Sequence, residues 1–363
     1  MGPACPSTAA GRPLDVKLLR RAVPTTSAKP ISLALQGGGA HGAFQWGVLD
    51  RLLESATLEI RSITAASAGA MNAVALVAGM IEGGPDGARK RLESFWRAVS
   101  QGGTRGVFGD NLVANLATDW FTNNPAYRYM EALTTQVTVS PYDFNPLNIN
   151  PLRDVLRDQI DFQSIREQTS IDLFIAATAV RTNEAKLFRA AELTAEHVMA
   201  SACIPAVMQA VEIDGAPYWD GGYLANPPIW PLVECQARDV LLCLLNPLDT
   251  KKTPRTSVEI TDRLNEISFN ASVAAELRAV AVVQDLIKRG HLKAGAGYMD
   301  LRFHMISADG RLSDLKLPSK FNTDWSFLQD LKKRGRAAAD EWLEAHMTFV
   351  GSRSTVDLGK AFL

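Results

Sequence analysis

The stretch Ile31-Ser32-Leu33-Ala34-Leu35-Gln36-Gly37-Gly38-Gly39-Ala40-His41-Gly42 joins a short apolar run to a glycine-rich turn. The length and composition of residues 31–35 predict a buried strand. Beyond the turn, apolar residues recur at three- and four-residue spacing over 44–53, which predicts a helix. Glycines between a strand and a helix let the backbone approach a ligand closely, and the first N–H groups of the helix favour negative charge.

A second strand–turn–helix unit follows directly. Residues 58–65 predict a strand, Ala66-Ser67-Ala68-Gly69 a tight turn, and the Ala-rich residues 70–80 a helix. Two such units in succession are typical of a layered α/β fold. Farther along the chain, the patterns predict strands at 173–180, 240–245 and 299–306, and helices at 257–288 and 325–346.

Together these elements predict a three-layer α/β/α domain with a mainly parallel central sheet. The runs 31–35, 60–65, 173–180 and 240–245 are short and apolar, as strands buried on both faces are, so we expect them to be neighbours. Residues 101–152 differ, because they are rich in glycine, proline and aromatic side chains. That composition predicts long loops and short helices that form one wall of a pocket.

The composition excludes several functional classes. Of the 363 residues, 47% are hydrophobic and 21% are charged, which is typical of a globular protein. The 38 basic and 39 acidic residues give a net charge of −1, which argues against nucleic-acid binding. The sequence has neither a signal peptide nor an apolar run long enough to span a membrane, so we expect a cytoplasmic protein with peripheral membrane contact. The cysteines lack metal-binding spacing, which indicates thiols in a reducing compartment: Cys5, Cys203, Cys235 and Cys243.

The glycine-rich turn alone leaves several interpretations open. Gly37, Gly39 and Gly42 match the G-x-G-x-x-G pattern of dinucleotide-binding proteins. That interpretation needs an acidic residue at the end of the second strand, and residues 64–67 contain none. A P-loop would need a following Gly-Lys-Ser/Thr, which is absent. A purely structural turn is the remaining alternative to a ligand-binding loop.

Ser67 is the candidate nucleophile. The segment Ala65-Ala66-Ser67-Ala68-Gly69 is one glycine short of G-x-S-x-G, in which the serine lies on a sharp strand-to-helix turn between small neighbours. Small residues around a serine also occur where a strand and a helix merely pack closely. The segment therefore needs a partner base before it indicates catalysis.

Asp220 is the candidate base. A Ser-His-Asp triad would need a histidine on a turn after an acidic residue, and none of the histidines has that position. The histidines are His41, His197, His291, His304 and His346. Asp220 opens the turn Asp220-Gly221-Gly222, which alone would be interpreted as an ordinary turn. It is the better candidate for a base that acts directly on Ser67.

In combination and order, these motifs resemble those of the patatin-like phospholipase family. The glycine turn at 37–42 follows a strand, and Ser67 lies in an elbow about 30 residues later. The segment Ala200-Ser201-Ala202-Cys203-Ile204-Pro205 comes next, and Asp220-Gly221-Gly222 leads to Asn226-Pro227. The resemblance implies a patatin-like catalytic domain over 31–231. We expect a tail at 1–30 and a helical C-terminal extension packed on the core at 232–363.

The resemblance implies a lipid acyl hydrolase that needs no metal or nucleotide cofactor. Ser67 would be the nucleophile and Asp220 its general base. The backbone N–H groups of Gly38 and Gly39, with Gly37 beside them, would receive the oxyanion. A lipid or another acyl ester would be the substrate, met in transient contact with a membrane interface.

Small residues support these motifs, namely Gly42, Ala65, Gly69, Gly221 and Gly222. Two positions depart from the family pattern. Ala65 replaces the first elbow glycine, and His41 stands where the family often has Arg or Lys. A fixed positive charge near the oxyanion hole is therefore missing unless His41 is protonated. Two other functions stay open: a non-catalytic lipid- or partner-binding module on the same fold, and a nicotinamide-dependent oxidoreductase.

Overall fold

A computed structural model describes residues 28–102, 140–250, 252–293 and 301–362. The strands are β1 (Lys29–Leu35), β2 (Leu58–Ala66), β3 (Asp172–Ala179), β4 (Glu184–Arg189), β5 (Val211–Ile213), β6 (Ala216–Asp220), β7 (Asp239–Leu244) and β8 (Arg302–Ser307). The α-helices are α1 (Gly42–Ser55), α2 (Ala68–Ser100), α3 (Pro141–Phe144), α4 (Pro151–Gln159), α5 (Phe162–Glu167), α6 (Ala195–Ser201), α7 (Ser257–Lys288), α8 (Trp325–His346) and α9 (Leu358–Phe362). Short 3-10 helices include Gly39–His41, Gly221–Tyr223 and Leu317–Phe321.

The strands form one sheet in the order β5-β6-β3-β2-β1-β7-β8, with β4 paired to β3. The pairs within the run β3-β2-β1-β7-β8 are parallel, whereas β4, β5 and β6 pair antiparallel to their neighbours. The predicted neighbours β1, β2, β3 and β7 therefore lie side by side, as expected. Because the carboxyl ends of parallel strands meet at one edge, the turns after β1 and β2 are brought together there.

Separate hydrophobic cores of described residues lie on the two faces of the sheet. Successive side chains of a strand point to opposite faces. Accordingly, Leu33 and Leu35 join one core and Ala34 the other, and Leu241 and Leu242 divide in the same way. Helices α1, α2 and α8 cover the first face, while α7 and α9 cover the second. The molecule is a three-layer α/β/α fold, as the sequence predicts.

The C-terminal part is built into this architecture. Strands β7 and β8 continue the central sheet, and α8 packs directly on α1. Gly47 and Gly335 allow that close packing, because a Cβ on either would collide with backbone of the other helix. The division into residues 1–30, 31–231 and 232–363 stays a prediction.

Two predicted segments differ from the structure or fall outside it. The helix predicted to run to about residue 80 continues to Ser100, with a kink at Gly83 and Gly84 just before Pro85. The pocket wall predicted for 101–152 lies mostly outside the described residues, since 103–139 are not described. In the described ranges no helix combines the length and apolar character needed to cross a bilayer.

Candidate active site

Ser67 occupies the turn between β2 and α2 with φ 53° and ψ −124°. A non-glycine residue in that region of backbone space carries strain of order 1–3 kcal/mol, which surrounding contacts must hold. Ser201 provides such contacts, because the Ser67 N–H donates to the Ser201 carbonyl (3.1 Å) and hydroxyl (2.9 Å) oxygens. The turn thus has the backbone form of a nucleophile elbow.

Small residues make the elbow possible. A Cβ on Gly37 would lie 2.6 Å from the Ser67 Cβ, and one on Gly42 would lie 2.8 Å from the Ala68 Cβ. A Cβ on Gly69 would collide with the Leu35 carbonyl oxygen. The glycine turn and the elbow are therefore in direct contact, and side chains at these positions would force them apart.

The Gly37–Gly38–Gly39 segment, here called the glycine loop, is held by amide side chains. The Gly37 N–H donates to Asn226 Oδ1 (2.7 Å), and its carbonyl accepts from Asn246 Nδ2 (3.1 Å). The Gly37 N–H is therefore already used, which differs from its expected share in the oxyanion hole. In the described part of the chain, the Gly38 and Gly39 N–H groups have no hydrogen-bond partner. Those two groups are the donors that a ligand could use.

Asp220 ends β6 and is fully buried. Its N–H donates to the Cys203 carbonyl oxygen (2.8 Å), and its own carbonyl accepts from the Thr178 hydroxyl (2.8 Å). The carboxylate Oδ1 accepts from the Gly222 N–H (2.7 Å). Oδ2 is buried and has no hydrogen bond of normal geometry to a described residue.

Burial raises the pKa of Asp220 to about 7. The Ser67 hydroxyl, the Gly222 N–H and the charge of Lys320 oppose that rise, in decreasing order of effect. The Ser67 side chain is thus near enough to lower the pKa of the carboxyl group. The two side chains do not form a hydrogen bond of normal length and angle. A direct Ser67–Asp220 hydrogen bond of about 2.6–3.2 Å stays a prediction.

The segment from Ala200 to Pro205 positions both candidate residues. Ser201 holds the Ser67 N–H, and the Cys203 carbonyl holds the Asp220 N–H. The sequence shows this segment only as a small-residue helix end before a proline, because its contributions are mostly backbone groups. Its fixed place between Ser67 and Asp220 in the motif order is the only signal that could have indicated its role.

Neither His41 nor His304 supplies a base for Ser67. Burial, helped by the charge of Lys320, lowers the pKa of His41 to about 3, so its ring is neutral. Its Nε2 lies 2.8 Å from the Ser319 hydroxyl. His304 is buried 3.0 Å from Asp239 Oδ1, but Asp239 begins β7 and so lies at the opposite edge of the sheet from the elbow. His41 therefore supplies no positive charge beside the glycine loop.

A cavity of about 1240 Å³ lies beside Leu245 and Lys320, which pack against Gly38 and Gly39 of the glycine loop. His41, Leu245 and Lys320 line it, together with side chains from the first turns of α7. Neither Ser67 nor Asp220 is among the described residues that line it. The cavity therefore adjoins the loop rather than containing the two candidate residues.

The family model described as patatin-like phospholipase matches residues 33–233, which is more than half of the chain. No curated protein matches the chain significantly. VipD from Legionella pneumophila is a similar solved structure, with 16% identity and a TM-score of 0.44, and the match covers 88% of this chain and 67% of VipD. The ExoU–SpcU heterodimer from the type III secretion system of Pseudomonas aeruginosa matches with 16% identity and a TM-score of 0.29, over 86% of this chain and 74% of that chain.

Proposed function

The chain belongs to the patatin-like phospholipase family, and we propose that it hydrolyses acyl esters of lipids through Ser67 and Asp220. Family membership supports lipid hydrolysis in general. The two-residue mechanism rests on this chain's own residues. A nucleophilic serine needs a base within reach and donors aimed at the developing oxyanion.

In the proposed reaction, Asp220 takes the hydroxyl proton as Ser67 Oγ attacks the ester carbonyl carbon. The Gly38 and Gly39 N–H groups receive the oxyanion of the tetrahedral intermediate. The carbon–oxygen bond to the alcohol then breaks, and protonated Asp220 gives its proton to the leaving alcohol. Asp220 next takes a proton from water as the water oxygen attacks the acyl carbon. The bond from that carbon to Ser67 Oγ then breaks, the proton passes from Asp220 to Oγ, and the carboxylic acid is released.

One observation carries this proposal. Asp220 has a buried oxygen without a hydrogen bond and a pKa of about 7, beside a serine in a strained elbow. A carboxylate that served only the fold would be expected to have its oxygens satisfied. A base works best when its pKa is close to the operating pH, and burial brings Asp220 there.

The alternatives are less well supported by the geometry. A dinucleotide site requires a carboxylate where β2 ends, and that strand ends at Ala66 before Ser67. A binding module without catalysis would not need a strained serine beside a buried acid. We therefore keep the binding module as the outcome that a failed activity test would indicate.

Lipid substrates require contact with an interface. Leu147 is 80% exposed and Ile149 is 62% exposed, between α3 and α4. Apolar side chains of this kind can insert into a lipid surface without a polybasic patch. We propose that contact with the membrane is peripheral and transient.

The decisive experiment compares the purified wild-type protein with Ser67→Ala. Hydrolysis is measured on a short p-nitrophenyl ester and on micellar phospholipids and glycerides, and covalent labelling by a fluorophosphonate is followed by mass spectrometry. We expect labelling of Ser67 in the wild type and loss of both labelling and turnover in the variant. Ser94→Ala, an exposed serine on the same helix, is the matched control and should retain both.

Absence of turnover and labelling in a folded wild-type protein would overturn the proposal in favour of a binding module. Turnover that survives Ser67→Ala would show that another nucleophile acts.

A further inference from the structure

Lys320 lies in the C-terminal part of the chain, in the 3-10 helix Leu317–Phe321, and its backbone packs against the glycine loop. A Cβ on Gly39 would collide with the Lys320 carbonyl oxygen, so no other residue separates the two. Gly39 has φ +59°, a conformation that suits glycine. The position of Lys320 is therefore tied to the loop that offers the two unused N–H groups.

The Lys320 ammonium group is held by neutral partners. Its Nζ donates to Asn246 Oδ1 (2.6 Å) and Asn265 Oδ1 (2.8 Å). Among the described residues no carboxylate lies within ion-pair distance of it. Desolvation lowers the pKa of Lys320 to about 8, while Glu266, Asp262 and Asp220 act in the opposite direction from farther away. A desolvated cation without a direct counterion is costly, and such a group is expected where its charge is used.

Two paths of contact lead from Lys320 to the candidate catalytic groups. Asn246, which accepts from Nζ, also donates to the Gly37 carbonyl oxygen. On the other path, Nζ lies 5.6 Å from the centre of the Phe269 ring. A Cβ on Gly222 would lie 2.6 Å from that ring and 3.0 Å from Asp220 Oδ1. Lys320 is thus one aromatic ring away from the turn that carries Asp220.

Apart from Lys320, the described groups with an electrostatic effect on Asp220 carry no positive charge. The Ser67 hydroxyl is neutral, and burial raises the pKa of the Cys203 thiol to about 12, so it also stays neutral. His41, whose pKa is lowered by burial and by the charge of Lys320, is neutral as well. Of the described groups that influence Asp220, Lys320 is the cation.

We propose that Lys320 is a positioning residue of the active site: its ammonium group favours the ionised form of Asp220, and its contacts fix the glycine loop. Lys320 lies outside residues 33–233, so the positive charge comes from a part of the chain that the family model does not match. The catalytic consequence rests on the proposed function, whereas the effect on Asp220 ionisation can be measured without any turnover.

The test follows the ionisation of Asp220 by NMR of protein isotope-labelled at aspartate carboxyl carbons. Asp220→Asn identifies the Asp220 signal. In Lys320→Gln, whose amide can still donate to an asparagine, we expect the Asp220 pKa to rise by roughly half to one unit, the size of effect that one unit charge has through a short stretch of protein interior. Lys320→Arg keeps the charge and should restore most of the shift.

Lys316→Gln is the matched control. Lys316 lines the same cavity and precedes the same 3-10 helix, but it is exposed. Its loss should leave the Asp220 pKa unchanged. If Lys320→Gln also leaves that pKa unchanged in a folded protein, the proposal is wrong, whether or not the protein is an enzyme.

The catalytic part is tested by the pH dependence of kcat/KM on a short ester. A higher Asp220 pKa leaves less of the base ionised, so Lys320→Gln should move the acid limb to higher pH and recover activity at high pH. A loss of equal size at every pH would contradict the charge role and indicate a structural one. If the wild-type protein has no turnover, the proposed function fails while the NMR titration still decides the role of Lys320.

Discussion

Asp220 and Asp239 are both buried, but their carboxylates lie at opposite edges of the central sheet and have different partners. Asp239 accepts two hydrogen bonds from Arg302 (3.0 and 2.6 Å) and one from the Gly351 N–H (3.0 Å). His304 lies 3.0 Å away. Within the described residues, the Asp220 carboxylate accepts a hydrogen bond of normal geometry from the Gly222 N–H at Oδ1 and none at Oδ2.

The difference appears in the two pKa shifts. Burial would raise the pKa of Asp239, but hydrogen bonds from His304, Arg302 and Gly351 outweigh it and hold the pKa well below its usual range. At Asp220 burial dominates, and the pKa rises to about 7. We therefore expect the fully paired aspartate to serve the fold, and in the proposed mechanism the under-paired one takes the serine proton.

Asp220→Asn should give the largest effect on activity. Asparagine keeps the shape but cannot take the serine proton, so we expect kcat/KM to fall by at least about a thousandfold. Because Ser67 and Asp220 act as one unit, the double variant with Ser67→Ala should lose little more. Ester hydrolysis by the folded variants checks this, and a fall of less than about tenfold would show that Asp220 is not the base.

Asp239→Asn should show the reverse pattern. It removes the buried negative charge with which Arg302 pairs, so we expect the free energy of unfolding to fall by about 3 kcal/mol, at the lower end for a buried charge pair because Arg302 is partly exposed. Denaturant unfolding measures the loss. The kcat/KM of the folded protein should stay close to the wild-type value, and a selective loss of activity would contradict the division of roles.

The sequence predicts much of this arrangement because the relevant signals are local. The glycine turn directly follows a predicted strand. The small residues that indicate the elbow are the immediate sequence neighbours of Ser67. The parallel order of β1, β2, β3 and β7 follows from short apolar runs, since such strands must be covered on both faces. The predicted spans 257–288 and 325–346 coincide with α7 and α8.

The remaining features depend on contacts between distant parts of the chain. The Gly37 N–H is used by Asn226, 189 residues away, so counting glycines could not separate it from Gly38 and Gly39. Ser201 reaches Ser67 over 134 residues. Lys320 does not belong to any motif that the sequence shows. The fold alone brings it to the glycine loop. The contrast between Asp220 and Asp239 also needs the structure, because it depends on how many donors each carboxylate meets.

The pH dependence sharpens the same contrast. If Asp220 is the base, the acid limb of kcat/KM should have its midpoint near pH 7 rather than near the pKa of about 4 of an ordinary aspartate. The raised pKa also means that, between about pH 4 and pH 7, Asp220 keeps its proton in the folded protein but loses it in the unfolded chain. Stability should therefore fall as the pH rises from about 4 through 7, by an amount on the order of 4 kcal/mol at most.

Asp220→Asn removes that dependence, because asparagine does not titrate. Relative to the wild type, the free energy of unfolding of the variant should therefore be higher at pH 8 than at pH 5. Asp239 acts with the opposite sign. Its lowered pKa contributes stability above about pH 4 that is lost as the pH falls below that value. Thermal unfolding across pH measures both, and equal pH profiles for the wild type and Asp220→Asn would contradict a raised Asp220 pKa.

His41→Ala should have the smallest effect on activity, although His41 lies next to the glycine loop. Its ring is neutral, and its Nε2 hydrogen-bonds to the Ser319 hydroxyl, which also donates to the Lys316 carbonyl oxygen. Removing the ring therefore breaks one hydrogen bond and opens a small cavity without removing a charge or a base, and we expect kcat/KM to fall by less than about tenfold. His41→Gln, which can retain the hydrogen bond, should lie closer to the wild type. If His41→Ala were as damaging as Ser67→Ala in a protein with wild-type thermal stability, the base would have to be reassigned from Asp220 to His41.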